Sequence, residues 1–128
     1  MKGKPEVHEV LAKMLKEELG AISEYFIHAE KLIERILFLN GTPNLNDMPK
    51  LAVGKDVKQQ FENDLALEKN AVAEYNAGIA VCRKAGDQAS ADLLQKILAD
   101  EEGHVDFLEE QLGLIEQIGI QNYLAQQV

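Results

Sequence analysis

The sequence predicts an all-α fold: one domain of 128 residues made of three long helices and a short terminal one. Three observations carry that prediction. Apolar residues recur at steps of three and four through three long stretches, which is the signature of one helix face. Asparagine, aspartate and glycine stand at the ends of those stretches, where helices begin and stop. No segment alternates apolar and polar residues as a strand would, and no sequence repeat is evident.

The first helix is expected from residue 5 to about 40. Pro5 suits a first helical turn, and Glu6 and Glu9 sit in the positive end of its dipole. Its stripe reads Val7, Leu11, Met14, Glu18, Ile22, Tyr25, Ala29, Leu32, Ile36 and Leu39, with His28 just off centre. Gly20 is the one weak point, and Asn40-Gly41 reads as a C-cap. Such a helix spans roughly 52 Å. Residues 42–55 hold Pro43, Pro49 and Gly54 and form a long surface connection, with Leu45, Met48, Leu51 and Val53 expected to pin it. Asp56 with Gln59 forms a capping box that opens the second helix, 56–85, which Gly86 ends. Its stripe is Val57, Phe61, Leu65, Glu68, Val72, Tyr75, Ile79 and Cys82. Asp87 or Ser90 caps the third helix, 87–118, and Gly119 ends it. Residues 120–127 read as a short, detachable helix.

Composition narrows the function classes. The net charge of −9, from 22 acidic and 13 basic residues, argues against nucleic acid, whose phosphates need clustered Lys and Arg. It suits a protein that attracts cations, and serves solubility equally. Cys82 is the only cysteine, so no intrachain disulfide framework exists, and a reducing cytoplasm is the expected location. No run approaches membrane-spanning length, and nothing resembles a signal peptide. There is no tryptophan and no Gly-rich phosphate loop. No Ser/His/Asp or Cys/His nucleophile constellation stands out.

The informative anomalies are charged residues on apolar stripes. The third stripe runs Leu94, Ile97, Glu101, His104, Leu108, Leu112, Ile115. Glu101 and His104, at i and i+3, point the same way and can share a metal ion in the Glu-x-x-His manner of di-iron carboxylate bundles. Glu68 and Glu18 interrupt their own stripes alike. A buried carboxylate needs a partner or a raised pKa. For any one of these residues, partial exposure or a protonated pair is a sufficient account. For all four together, a shared cation explains more. Glu24 and His28, at i and i+4, form another pair on one face. The remaining candidates read as ordinary: His8 as solvated, Cys82, Tyr75 and Tyr123 as packing residues, Glu109-Glu110 as a wet helix face.

With those residues placed, the chain resembles bacterioferritin, the haem-containing branch of the ferritin family. The resemblance rests on Met1-Lys2-Gly3, Glu17-Glu18-Leu19, Tyr25-Phe26-Ile27-His28-Ala29, Ile33-Glu34-Arg35-Ile36-Leu37-Phe38-Leu39 and Pro43-Asn44-Leu45. It continues through Asp64-Leu65-Ala66-Leu67-Glu68 and Asp100-Glu101-Glu102-Gly103-His104 to Gln121-Asn122-Tyr123-Leu124. It implies a ferritin-like four-helix bundle, a homo-oligomeric shell, and a di-iron centre that oxidises Fe(II) with O2 before mineral storage. By that resemblance Glu18, Glu68, Glu101 and His104 are iron ligands and Tyr25 is the neighbouring tyrosine. No membrane or nucleic-acid partner is implied.

The chain departs from the family pattern between Glu30 and Lys31, where relatives carry about two dozen more residues, including a second Glu-x-x-His. The methionine that ligates haem goes with that segment. Met1, Met14 and Met48 do not match its position, so haem is not expected. If the segment is deleted, rather than disordered with the numbering closed up across it, the first two helices fuse into one. Two chains would then pair by domain swapping with their long helices antiparallel, centred near Ser23, and Glu24 and His28 of one chain would complete the other's site. The alternative is a rearranged or engineered subunit that assembles without oxidase activity.

Overall fold

A computed structural model describes residues 5–46 and 53–126, without the side chains of 6, 7, 10, 11 and 13–23. Four helices follow one another: α1 (Pro5–Phe38), α2 (Val57–Lys84), α3 (Gln88–Ile118) and α4 (Ile120–Gln126). Among the described residues there is no strand. The fold class is therefore the all-α one that the stripes predict, with a single uninterrupted first helix of 34 residues.

Each helix ends for a local reason. α1 stops at a motif in which Gly41 N–H donates to Ile36 O at 2.8 Å and Asn40 N–H to Leu37 O at 3.0 Å. The left-handed residue there is Asn40, at φ 61°, rather than the glycine beside it. Asparagine tolerates this region better than other side chains do. α2 opens on Asp56, whose Oδ1 accepts from Gln59 N–H at 2.8 Å. Gln59 Oε1 returns the contact by accepting from Lys55 N–H. α2 ends in the same motif as α1, with Gly86 at φ 78°, Asp87 N–H on Cys82 O and Gly86 N–H on Arg83 O. Asp87, not Ser90, then caps α3: its Oδ1 accepts from Ser90 N–H at 3.0 Å and its Oδ2 from the Ser90 hydroxyl at 2.6 Å.

The chain forms two compact units, residues 1–43 with 115–128, and residues 44–114. In the second, α2 and α3 lie antiparallel. Arg83 meets Gln95 at 3.1 Å near the turn, and Lys69 meets Glu109 at 3.2 Å farther along both helices. Ile79, Ala91 and Leu98 form the core of this pair, with Val72, Tyr75, Cys82 and Leu94 packed against it. Gly78 keeps the helices close, since a Cβ there would stand 3.2 Å from Leu94 Cδ1. In the first unit Tyr123 is 1% exposed, so α4 is anchored by a buried ring and is not the detachable appendage its length suggests.

Two expectations need correction. Leu45 and Val53 are 68% and 83% exposed and do not pin the 42–55 connection; Met48 and Leu51 lie outside the described residues. Polar contacts hold its ends instead. Asn44 Oδ1 accepts from Asn46 N–H, and Gln60 Oε1 accepts from Gly54 N–H. The second correction concerns α1. Over its C-terminal half the least exposed line is Glu24, His28, Leu32 and Arg35, while Tyr25, Ile36 and Leu39 of the expected stripe are exposed. This segment is apolar on more than one face, so apolar spacing alone does not say which face is covered.

Candidate metal centre

The α2–α3 pairing brings three side chains together midway along both helices. Glu101 and His104 come from successive turns of α3, and Glu68 from the facing turn of α2. His104 Nδ1 lies 3.4 Å from Glu101 Oε2 and 3.6 Å from Glu68 Oε1. One donor atom from each residue falls within 4.8 Å of the other two. The Glu101 side chain is 5% exposed, against 20% for Glu68 and 27% for His104, so the group is closed on the helix seam and open on one side.

These separations are long for hydrogen bonds. They are close to what one small cation would impose: two ligands at about 2.1 Å from an ion stand roughly 3.0–3.4 Å apart at octahedral or tetrahedral angles. The electrostatics agree. Glu68 Oε2 is buried with no hydrogen-bond partner among the described residues. Burial first, then hydrogen bonding and like charge from Glu101, push the Glu68 carboxyl up to about 8, against a partial offset from His104. Two crowded carboxylates and an imidazole nitrogen thus form a site short of positive charge. A divalent cation supplies that charge and occupies the free lone pairs, so the donor set fits a metal ion. Two hard oxygens with one imidazole suit iron or manganese better than copper.

All three residues are ones the helix pattern singles out, and the group contains no residue it missed. Among the described residues the group includes none of the rest of the predicted set. The Glu18 side chain lies outside the described residues. Glu24, Tyr25 and His28 are on α1, in the other compact unit. Glu24 is half-buried, Tyr25 is 63% exposed and His28 is 6% exposed. Beside the α2–α3 seam an open cleft of about 310 Å³ is lined by Lys69, Val72, Glu102, Val105, Asp106 and Glu109, and includes none of the three donors. Glu109 there pairs with Lys69, both about half exposed, an ion pair of the kind that contributes little to stability. His8 is exposed, and Tyr75 and Cys82 pack on the core of the pair, as expected. No helix among the described residues is long and apolar enough to cross a membrane.

An all-α chain with a Glu/Glu-x-x-His group across two antiparallel helices is of the metal-site helical-bundle class. Comparison with known proteins makes this specific. The ferritin-like domain family matches residues 5–118. A bacterial ferritin of Synechocystis sp. is 43% identical over 155 positions, covering 100% of this chain and 99% of that protein. Bacterioferritins of Brucella melitensis and Mycobacterium leprae are 40% and 39% identical, covering 96% and 98% of this chain. The chain belongs to the ferritin-like family, with bacterioferritins among its relatives. Aligning 128 residues over 155 positions leaves 27 positions of the Synechocystis alignment without a counterpart here.

Proposed function

We propose that the chain binds Fe(II) through Glu68, Glu101 and His104, with Glu18 as a further donor, and oxidises it with O2 ahead of storage in a homo-oligomeric shell. The observation that carries this reading is the buried, unpartnered Glu68 oxygen beside a second carboxylate and an imidazole nitrogen. Each carboxylate favours Fe(III) over Fe(II), because attraction to an anionic ligand grows with the charge of the ion. The site thereby assists transfer of one electron from each Fe(II) to O2. His104 donates through Nδ1, and the proton that Glu68 holds leaves as the cation enters. Glu24 and His28 are the donors proposed for a second iron, and Tyr25 its redox neighbour.

The test is aerobic Fe(II) oxidation followed in the near-UV on metal-free protein, with His104→Ala alongside. Oxidation well above buffer in the parent and lost in the variant supports the reading. Oxidation no faster than buffer removes the oxidase and leaves metal binding. One observation favours a second reading, assembly without oxidation: the chain has a single Glu-x-x-His and lacks 27 positions of its Synechocystis relative. Under that reading the protein binds Fe(II) under anaerobic conditions but does not turn it over.

A further inference from the structure

The motif that ends α1 calls for two residue types that are chemically unstable side by side. Asn40 stands at φ 61°, a region that few side chains besides asparagine tolerate. Gly41 N–H donates to Ile36 O at 2.8 Å. A Cβ on Gly41 would stand 2.9 Å from Ile36 Cγ2 and 3.2 Å from Ile36 O, so this close approach favours glycine. Of the seven asparagines in the chain, Asn40 alone precedes a glycine. Both residues are exposed, and the Asn40 side-chain amide makes no hydrogen bond among the described residues.

We infer that Asn40 is a site of spontaneous deamidation, held back by the cap of α1. Asparagine is a thermolabile side chain, and a following glycine crowds ring closure least. Hydroxide takes the proton of the Gly41 N–H. The nitrogen then bonds to Asn40 Cγ, the Cγ–Nδ2 bond breaks, and ammonia leaves with a proton from water. Water opens the resulting five-membered imide. Attack at Cγ returns the ordinary main chain with aspartate at position 40. Attack at the backbone carbonyl carbon leaves Gly41 joined through Cγ, as isoaspartate.

The cap opposes the first step. Its hydrogen bond to Ile36 O keeps the proton on Gly41 nitrogen and fixes that nitrogen in place. The reaction therefore runs through chains whose last helical turn has frayed, an opening of low free energy at a helix end. Either product loosens the cap further. Aspartate sets a negative charge at the negative end of the helix dipole. Isoaspartate lengthens the main chain by one carbon and takes Gly41 N–H away from Ile36 O. This chemistry is independent of the metal reading, so either can fail alone.

Peptide mass spectrometry of the whole protein, aged in mild alkali with and without urea, tests the inference. In folded protein Asn40 should convert faster than Asn44 or Asn46, which are exposed and lack a following glycine. Urea should speed conversion at Asn40 several-fold. Leu37 is 56% exposed, so Leu37→Gly weakens the last turn with little loss of packing and should speed conversion in folded protein by about threefold. Asn40→Asp should quicken amide exchange at Gly41 relative to Asn40→Gly, which keeps the cap uncharged. Conversion at Asn40 no faster than at Asn44 overturns the site. A rate that neither urea nor Leu37→Gly changes overturns the restraint by the cap, and equal exchange in the two Asn40 variants overturns the loosening.

Discussion

At the scale of single residues, Glu68 decides the behaviour of the metal-free protein. Its carboxyl has an ordinary value of 4.5 and is held at about 8 in the fold, through burial first and Glu101 second. Below pH 4.5 both folded and unfolded chains hold the proton, and this group's contribution to stability is fully present. Between about pH 4.5 and 8 the unfolded chain releases a proton that the folded one keeps, so stability falls as pH rises. Melting of the metal-free protein from pH 5 to 8 should show that downward slope, and Glu68→Gln should flatten it. A slope equal in both proteins would assign the pH dependence to other groups. His104 is the sole nitrogen among the three donors. His104→Ala should cost more than about tenfold in anaerobic Fe(II) affinity, since even partners one layer outside a metal are worth ten- to a hundredfold. Calorimetric titration measures this directly.

At the scale of elements, two glycines with open space around them predict opposite outcomes. No atom lies within 4 Å of a Cβ added at Gly86 or Gly103. Gly86 is at φ 78°, so Gly86→Ala should destabilise by about 1–2 kcal/mol through backbone strain alone. Gly103 is inside α3, so Gly103→Ala should stabilise by up to about 1 kcal/mol. Thermal melts of the pair separate conformational effects from packing; a Gly103→Ala loss would mean that something packs on that face of α3. Ile97, 2% exposed, belongs to the other regime: Ile97→Ala should cost about 2–5 kcal/mol by leaving a cavity about one turn before Glu101 on α3. The α2 and α3 stripes are legible in sequence because apolar residues concentrate on one face of each, with only a few such as Leu67, Val81 and Phe107 left exposed. In α1 the run Tyr25-Phe26-Ile27 is exposed at all three positions, so the chain's own periodicity does not select a face.

At the scale of the whole molecule, metal binding and folding are linked. A cation that binds the folded chain and not the unfolded one stabilises it by about 2.7 kcal/mol at a hundred times Kd. Adding Fe(II) anaerobically should therefore raise the melting temperature in a concentration-dependent way, and should not do so in Glu68→Gln or His104→Ala. A net charge of −9 favours the approach of cations, and that attraction should weaken as salt is raised.

The sequence by itself determined the helices, their caps to within a residue or two, and the three residues of the candidate site. These are local matters: apolar spacing, the few residue types that stop a helix, and carboxylates standing where Leu or Ile belongs. It also carried the family, since the motifs that matter are contiguous. Only the tertiary structure decided that Glu68 faces Glu101 and His104 at contact distance, that Asp87 rather than Ser90 caps α3, and that α4 is held by a buried Tyr123. It also decided which line of α1 is covered. Those outcomes depend on which surfaces meet, and a surface's partner is not written in the spacing of its own residues. Where a helix offers one apolar face the choice is forced; where it offers two, as α1 does, packing makes it.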